Sequence, residues 1–282
     1  MSASSDWLEI RRGNAPLVVS FPHTGTELPP EVAAGLKSEW LGRRDADWWL
    51  ESLYDFAATE LDATTVRTRI SRTAIDCNRD PSGVSLYPGQ ATTELCPTTT
   101  FDGEPLYLDG QAPDQAEIAR RRALWFDPYH AAVAGELGRL RGANGAVVLY
   151  DAHSIRSQIP RLFEGLLPNF NIGTNSGASC DPLVADAVER ACAATDYSMV
   201  TNGRFKGGYT TRFYGRPDEG VHAVQMELAC RGYMDEPLGE VDHAWPPAYD
   251  PGYAAPMRAA LTNVLQNCLD AARRLSGARS PA

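Results

Sequence analysis

Apolar and polar positions along this chain fall into blocks whose period changes, and the blocks predict its elements. "PLVVSFPHTG" (16–25) is an apolar run ending in Pro-His-x-Gly, which predicts a buried strand followed by a turn. "DADWWLESLYDFAATEL" (45–61) carries Trp48, Leu50, Leu53, Tyr54 and Phe56, and predicts an amphipathic helix with Asp45 as its N-cap. "TTVRTRISRTAIDCNRD" (64–80) alternates like a strand and breaks at Asn-Arg-Asp. Residues 81–113, rich in Pro, Gly and Thr, predict a long ordered loop of the kind that forms a lid or a wall. "DQAEIARRRALWFDPYHAAVAGELGRLRG" (114–142) predicts a helix interrupted at Pro128.

The second half repeats the alternation of element types. Residues 146–151 form an apolar strand that leads through Asp151 into His153. A Gly/Asn-rich stretch at 165–179 follows, then a helix near 182–195, a strand at 221–229 and a closing amphipathic helix at 253–276. Strands alternating with helices predict a three-layer α/β fold. No repeat, low-complexity tract or composition break divides residues 1–282, so a single domain is expected.

Composition narrows the partners. The net charge of −10 argues against a polyanion such as nucleic acid, and a small anionic substrate would need a local cluster of arginines. No stretch approaches the roughly 20 apolar residues of a membrane span. The first residues, "MSASSDWLEIRRGNAP", lack the apolar core of a signal peptide. The six cysteines are scattered with no CxxC pair, which reads as reduced thiols in a cytoplasm and argues against a cysteine zinc site.

Histidine is scarce, with only five in the chain, so any metal site must combine these with carboxylates. Three strands end in polar residues of one kind: His23 after 17–21, His153 after 146–151, and Glu227 within 221–229. In a parallel or mixed sheet such ends converge on one rim. Two histidines and a carboxylate are the usual three ligands of a hydrolytic zinc ion, which keeps a position open for water. Asp45 and Asp47 offer the carboxylate. Asp45 also suits a helix cap, whereas Asp47 sits beside two tryptophans. Glu227 has two readings, a base raised in pKa by a buried cleft or an edge-strand glutamate facing water. Asp151, two residues before His153 on the same side of the strand, is placed to orient a ligand imidazole. Arg72, Asn78, Arg79, Arg156, Arg204 and Arg212 are candidate clamps for a carboxylate, because arginine grips it through two parallel N–H bonds. The run "RRR" at 120–122 reads as solvated surface.

Several long blocks carry a resemblance that runs nearly end to end: "SFPHTGTELPPEV", "DADWWLESLYDFA", "SRTAIDCNRD", "LYPGQATTELCPTTTFDGEPLY", "DAHSIRSQIPRLFEG", "FNIGTNSGASCDP", "NGRFKGGYTTRFYGRP" and "VHAVQMELA". The chain resembles the N-formylglutamate amidohydrolases, enzymes of histidine breakdown that are similar to zinc-dependent exopeptidases. The resemblance implies an α/β/α sandwich around a mixed, mostly parallel sheet. It implies Zn2+, or another divalent transition metal, on His23, His153 and Asp47, with Asp45 as the alternative carboxylate. It also implies Glu227 as the base and Asn78–Arg79 as the carboxylate grip. The exopeptidases place histidine and glutamate three apart in one loop. Here Thr-Gly-Thr follows His23, so the acidic ligand must come from further along. The implied reaction is hydrolysis of N-formyl-L-glutamate to glutamate and formate. Rival readings are an amidase for another N-acylated acidic amino acid or peptide, and a non-catalytic dicarboxylate-binding protein.

Overall fold

A computed structural model describes residues 6–83, 94–239 and 241–279. The amino-terminal half begins with β1 (Leu8–Arg11), β2 (Leu17–Phe21) and four short helices: α1 (Pro30–Ala33), α2 (Glu39–Arg44), α3 (Leu50–Leu53) and α4 (Phe56–Thr59). Strand β3 (Thr64–Thr68) precedes α5 (Gln115–Arg121), a π turn at Arg122–Phe126, α6 (Asp127–Asn144) and β4 (Val147–Ile155). Then come β5 (Phe170–Gly173), α7 (Pro182–Ala193), β6 (Met199–Thr201), α8 (Tyr209–Tyr214), β7 (Val221–Ala229) and α9 (Pro251–Arg279).

The strands form one sheet in the order β1-β3-β2-β4-β7-β5-β6. Neighbours β3-β2, β2-β4, β4-β7 and β5-β6 are parallel, while β1-β3 and β7-β5 are antiparallel. This is the mixed, mostly parallel α/β sandwich that was expected. Alternation along the strands separates two faces. Val19, Phe21, Tyr150, Ala152, Met226 and Leu228 pack against α7 and α9. Val18, Val66, Val147, Leu149 and Ala223 pack against α6 and the π turn. Strands β4 and β7 are buried along their whole length, as strands covered on both sides must be.

Three expectations from sequence need correction. The helix over 45–61 is broken, because Trp49 adopts a left-handed conformation (φ 65°) that a continuing helix cannot include. Asp45 therefore follows the end of α2 and is not an N-cap; its carboxylate accepts the backbone N–H of Phe101 (2.7 Å). The helical stretch 114–142 does not stop at Pro128, which lies in the first turn of α6 just after the π turn, where its missing N–H costs little. Finally, Arg121 is buried within "RRR" and donates to Ala74 O, Tyr107 Oη and Glu117. The loop expected over 81–113 is irregular where it is described, at 81–83 and 94–113, and otherwise lies outside the described residues.

His130 on α6 joins the helix to the site loop. Its Nε2 donates to Cys77 O (2.9 Å), and its Nδ1 lies 3.0 Å from Tyr214 Oη. Burial pushes its pKa down to about 4. The unfolded chain, with a histidine pKa near 6.5, therefore binds a proton that the fold refuses. This contribution to stability is fully present above pH 6.5 and is lost as pH falls toward 4. From pH 7 to pH 5 the loss amounts to about 2 kcal/mol. Urea unfolding of His130→Gln should show a pH 7-to-5 decline smaller than wild type by roughly that amount. Identical declines in the two proteins would contradict the assignment.

Candidate active site and metal centre

The site lies at the carboxyl ends of β2, β4 and β7, on the face of the sheet that α6 covers. Asp151, His153 and Ile155 alternate along β4 with residues of the opposite face, and on β7 Gln225 and Glu227 do the same. Register sets Asp151 beside Gln225 and His153 beside Glu227. Strand β4 continues past the predicted end at residue 151, through His153 to Ile155. His23 follows β2 by two residues. The backbone N–H of Asp47 donates to His23 O (3.0 Å), so the broken segment after α2 brings the aspartate beside the histidine.

Three donor atoms meet here. The Nδ1 atoms of His23 and His153 lie 3.1 Å apart. Asp47 Oδ2 is 3.1 Å from the His153 Nδ1 and 3.6 Å from that of His23. Ligands of a tetrahedral zinc ion stand about 3.3 Å apart, given zinc–nitrogen and zinc–oxygen bonds of about 2.0–2.1 Å. The far side of each ring faces a carboxylate. His23 Nε2 meets Asp76 Oδ1 at 2.7 Å and His153 Nε2 meets Asp151 Oδ2 at 3.0 Å. An ionised carboxylate only accepts, so each Nε2 carries the proton and each Nδ1 turns a lone pair inward. Ser20 Oγ donates to Asp151 Oδ1 (2.6 Å) and Arg72 Nη2 donates to Asp76 Oδ2 (2.7 Å), which fixes both carboxylates in turn.

The electrostatics agree with a cation between these donors. Burial opposes ionisation of Asp47, yet the hydrogen bonds and charge of the two histidines hold it below the usual carboxylate range. Asp76 is likewise held well below that range, against its burial, by His23, Arg72 and Arg79. Burial works against a charged His153, but Asp151 and Asp47 hold its pKa well above the ordinary value. The centre demands positive charge, from a proton or from a metal ion. Asp47 Oδ1 is buried without a hydrogen bond, with Arg72 Nη1 at 3.6 Å. Two inward imidazoles and a carboxylate within 4.8 Å of one another therefore fit a divalent ion.

Above the centre a pocket of about 610 Å3, counting its open mouth, is lined by the polar side chains of Arg72, Asn78, Arg79, Arg204 and Gln225 and by the apolar ones of Phe101, Ile155, Leu162 and Phe205, with Arg72 stacked on Phe101 and Arg204 on Phe205. Glu227 lines it beside the histidines, and burial pushes its pKa up to about 7. Because β7 lies between β4 and β5, Glu227 is not on an edge strand facing water. Asn78 sets its amide nitrogen 3.0 Å from His153 Nε2, and its Oδ1 accepts from Thr210 N (2.8 Å).

Of the predicted residues, His23, Arg72, Asn78, Arg79, His153, Arg204 and Glu227 line this pocket, with Asp47 beside the two histidines. Three others are placed elsewhere. Asp45 holds the Phe101 backbone; Arg156 donates to Asp102 Oδ2 (2.5 Å) and stands 3.9 Å from Asp45; Arg212 donates to Gly207 O (2.8 Å). Sequence reasoning missed Asp76, Gln225 and the apolar wall. Period-two alternation from Glu227 would have found Gln225, and from His153 it would have found Ile155.

The comparisons agree along most of the chain. The profile of the family described as N-formylglutamate amidohydrolase matches residues 15–234. An N-formylglutamate deformylase from Pseudomonas aeruginosa is 49% identical, over 93% of this chain and 96% of its own length. One from Pseudomonas putida is 46% identical, over 93% and 95%. The crystal structure of an N-formylglutamate amidohydrolase from Ralstonia eutropha JMP134 shares the fold, with a TM-score of 0.72 at 23% identity over 96% of this chain and 97% of its own. A protein from Agrobacterium tumefaciens does so at a TM-score of 0.69 and 18% identity, over 93% and 94%. The chain belongs to the N-formylglutamate amidohydrolase family, hydrolases that act on a linear amide.

Proposed function

We propose that this protein hydrolyses N-formyl-L-glutamate to L-glutamate and formate, the last step of a histidine degradation route. The observation that carries this reading is the convergence of His23 Nδ1, His153 Nδ1 and Asp47 Oδ2 beneath a pocket lined by Glu227 and arginines. Those three side chains would hold Zn2+ or another divalent transition metal. When bound, the ion supplies a water of lowered pKa and polarises the formyl oxygen.

The chain's own residues do the rest. Asp76 and Asp151 keep both imidazoles in the tautomer that offers Nδ1. Glu227 takes the proton of the attacking water and returns it to the departing nitrogen, a role suited to a carboxyl whose pKa is about 7. Arg79 and Arg204 hold the two carboxylates of the substrate, and Asn78 assists. Arg72, spent on Asp76 and Asp47, contributes charge beneath them. Phe101, Ile155, Leu162 and Phe205 cover the aliphatic part and keep bulk water from the amide. Six cysteines, all buried and reduced, suit a reducing compartment, and the cytoplasm is the proposed location.

Formate release is the direct test. N-formylglutamate should be turned over with a higher kcat/KM than N-formylmethionine, which lacks the side-chain carboxylate, and than N-acetylglutamate. Equal kcat/KM for the two formyl compounds would contradict the arginine clamp, and a preference for the acetyl compound would favour a general deacylase.

Glu227→Gln keeps the shape of the side chain but cannot take the proton. It should retain metal and fold while kcat drops roughly 10²–10⁴-fold with little change in substrate affinity. Near-normal kcat removes Glu227 from the chemistry, and metal loss makes it a ligand instead.

A further inference from the structure

Gln225 is a polar side chain 3% exposed, on a strand whose other residues are nearly all apolar. An amide buried that deeply is costly unless both of its ends are bonded. Both are. Its Oε1 accepts the backbone N–H of Gly208 (2.7 Å), which fixes the orientation of the amide and turns Nε2 toward Glu227 Oε2 (3.3 Å). The two side chains share a face because they are two apart on β7.

Gly208 is itself tightly held. A Cβ at this position would lie 2.4–2.7 Å from the side-chain amide of Asn78, so the backbone must rest directly against Asn78. A second contact follows two residues on, with Thr210 N donating to Asn78 Oδ1 (2.8 Å). One amide thus joins Glu227 to the loop that carries Arg204 and packs on Asn78.

We propose that Gln225 is a positioning residue for this reaction. By holding Glu227 Oε2 and Gly208 N–H at once, it sets the carboxylate of the base in register with the wall that receives the substrate. Oε1 of Glu227 is left to meet the water. The inference rests on Glu227 acting as the base and adds a residue that acts through it.

Two variants separate the two bonds. Gln225→Met keeps length and bulk and loses both. Gln225→Glu still accepts from Gly208 but sets a second carboxyl against Glu227 Oε2, so the pair shares one proton and the acidic limb of the kcat profile moves to higher pH. Each should keep its metal content and fold with a lowered unfolding midpoint, because a buried N–H or a second carboxyl is left without a good partner. Each should leave KM within about twofold and lose on the order of 10–100-fold in kcat, as misplacement of a reacting group does. In a Glu227→Gln background neither substitution should reduce the residual rate further, because the residue through which Gln225 acts is already disabled. Wild-type kcat in Gln225→Glu overturns the proposal. So does a loss of equal size in the Glu227→Gln background, or a change confined to KM. Should Gln225→Met fail to fold, Gln225→Glu carries the test alone, since it retains the bond to Gly208. Glu227→Gln as a single variant is read separately: a near-normal rate there refutes the base itself, whereas a crippled Glu227→Gln beside a wild-type Gln225→Glu refutes only the role of Gln225.

Discussion

Two imidazole nitrogens face each other at 3.1 Å with a carboxylate oxygen against them, and the rest of the site follows from that contact. Three lone-pair donors so close repel unless positive charge lies between them. The protein supplies the opposite charge on the outside, where Asp76 and Asp151 are fully buried against the outer nitrogens of the rings. Asp47, Asp76 and Asp151 together are an expensive set to bury, since each loses its hydration. Arg72 offsets part of that cost from beneath, and its guanidinium stacks 4.8 Å from the Phe101 ring. Under the proposed function a divalent ion held by His23, His153 and Asp47 would offset the remainder.

The sheet explains how such precision is reached. Parallel strands β2, β4 and β7 deliver their carboxyl ends to one rim, and alternation sends Asp151, His153, Gln225 and Glu227 to a single face. Residues of the other face are mostly apolar and lock the strands against α7 and α9. His153 and Glu227 therefore sit on fully buried strands. Loops supply Asp47, Asp76, Asn78 and the arginines, and each is tied back by hydrogen bonds. The wall segment is fixed in the same way: Asp45 holds the Phe101 N–H, while Arg44 and Arg156 grip Asp102. Burial raises the pKa of Asp45, against the pull of Arg156 and Arg44.

Much of this was legible in the sequence wherever local pattern and tertiary role coincide. Strand β7 runs over Val221–Ala229 as its apolar run indicates, and β2 ends two residues before His23. The histidines and Glu227 stood out because they interrupt apolar strands. What was not legible depends on contacts between distant segments. Residues 45–61 have helical spacing, but the left-handed turn at Trp49 and the bond from Asp47 N to His23 O override it. Asp76 lies in the stretch whose alternation predicts a strand, but β3 ends at Thr68, and only the fold shows that the irregular chain beyond it backs His23 with this carboxylate. Arg156, next to the strand that carries His153, resembles a clamp until Asp102 of the wall loop and Asp45 after α2 claim it. Arginines at strand ends report that charge is needed nearby, not which anion they serve.

The metal content of purified wild type, Asp47→Asn and Asp45→Asn, each dialysed against trace zinc and measured by elemental analysis, tests the central claim most directly. The account predicts one divalent ion per chain in wild type and in Asp45→Asn, and loss of that ion in Asp47→Asn with the fold intact. A wild-type protein that takes up no metal, or an Asp47→Asn variant that keeps a full equivalent, would contradict it.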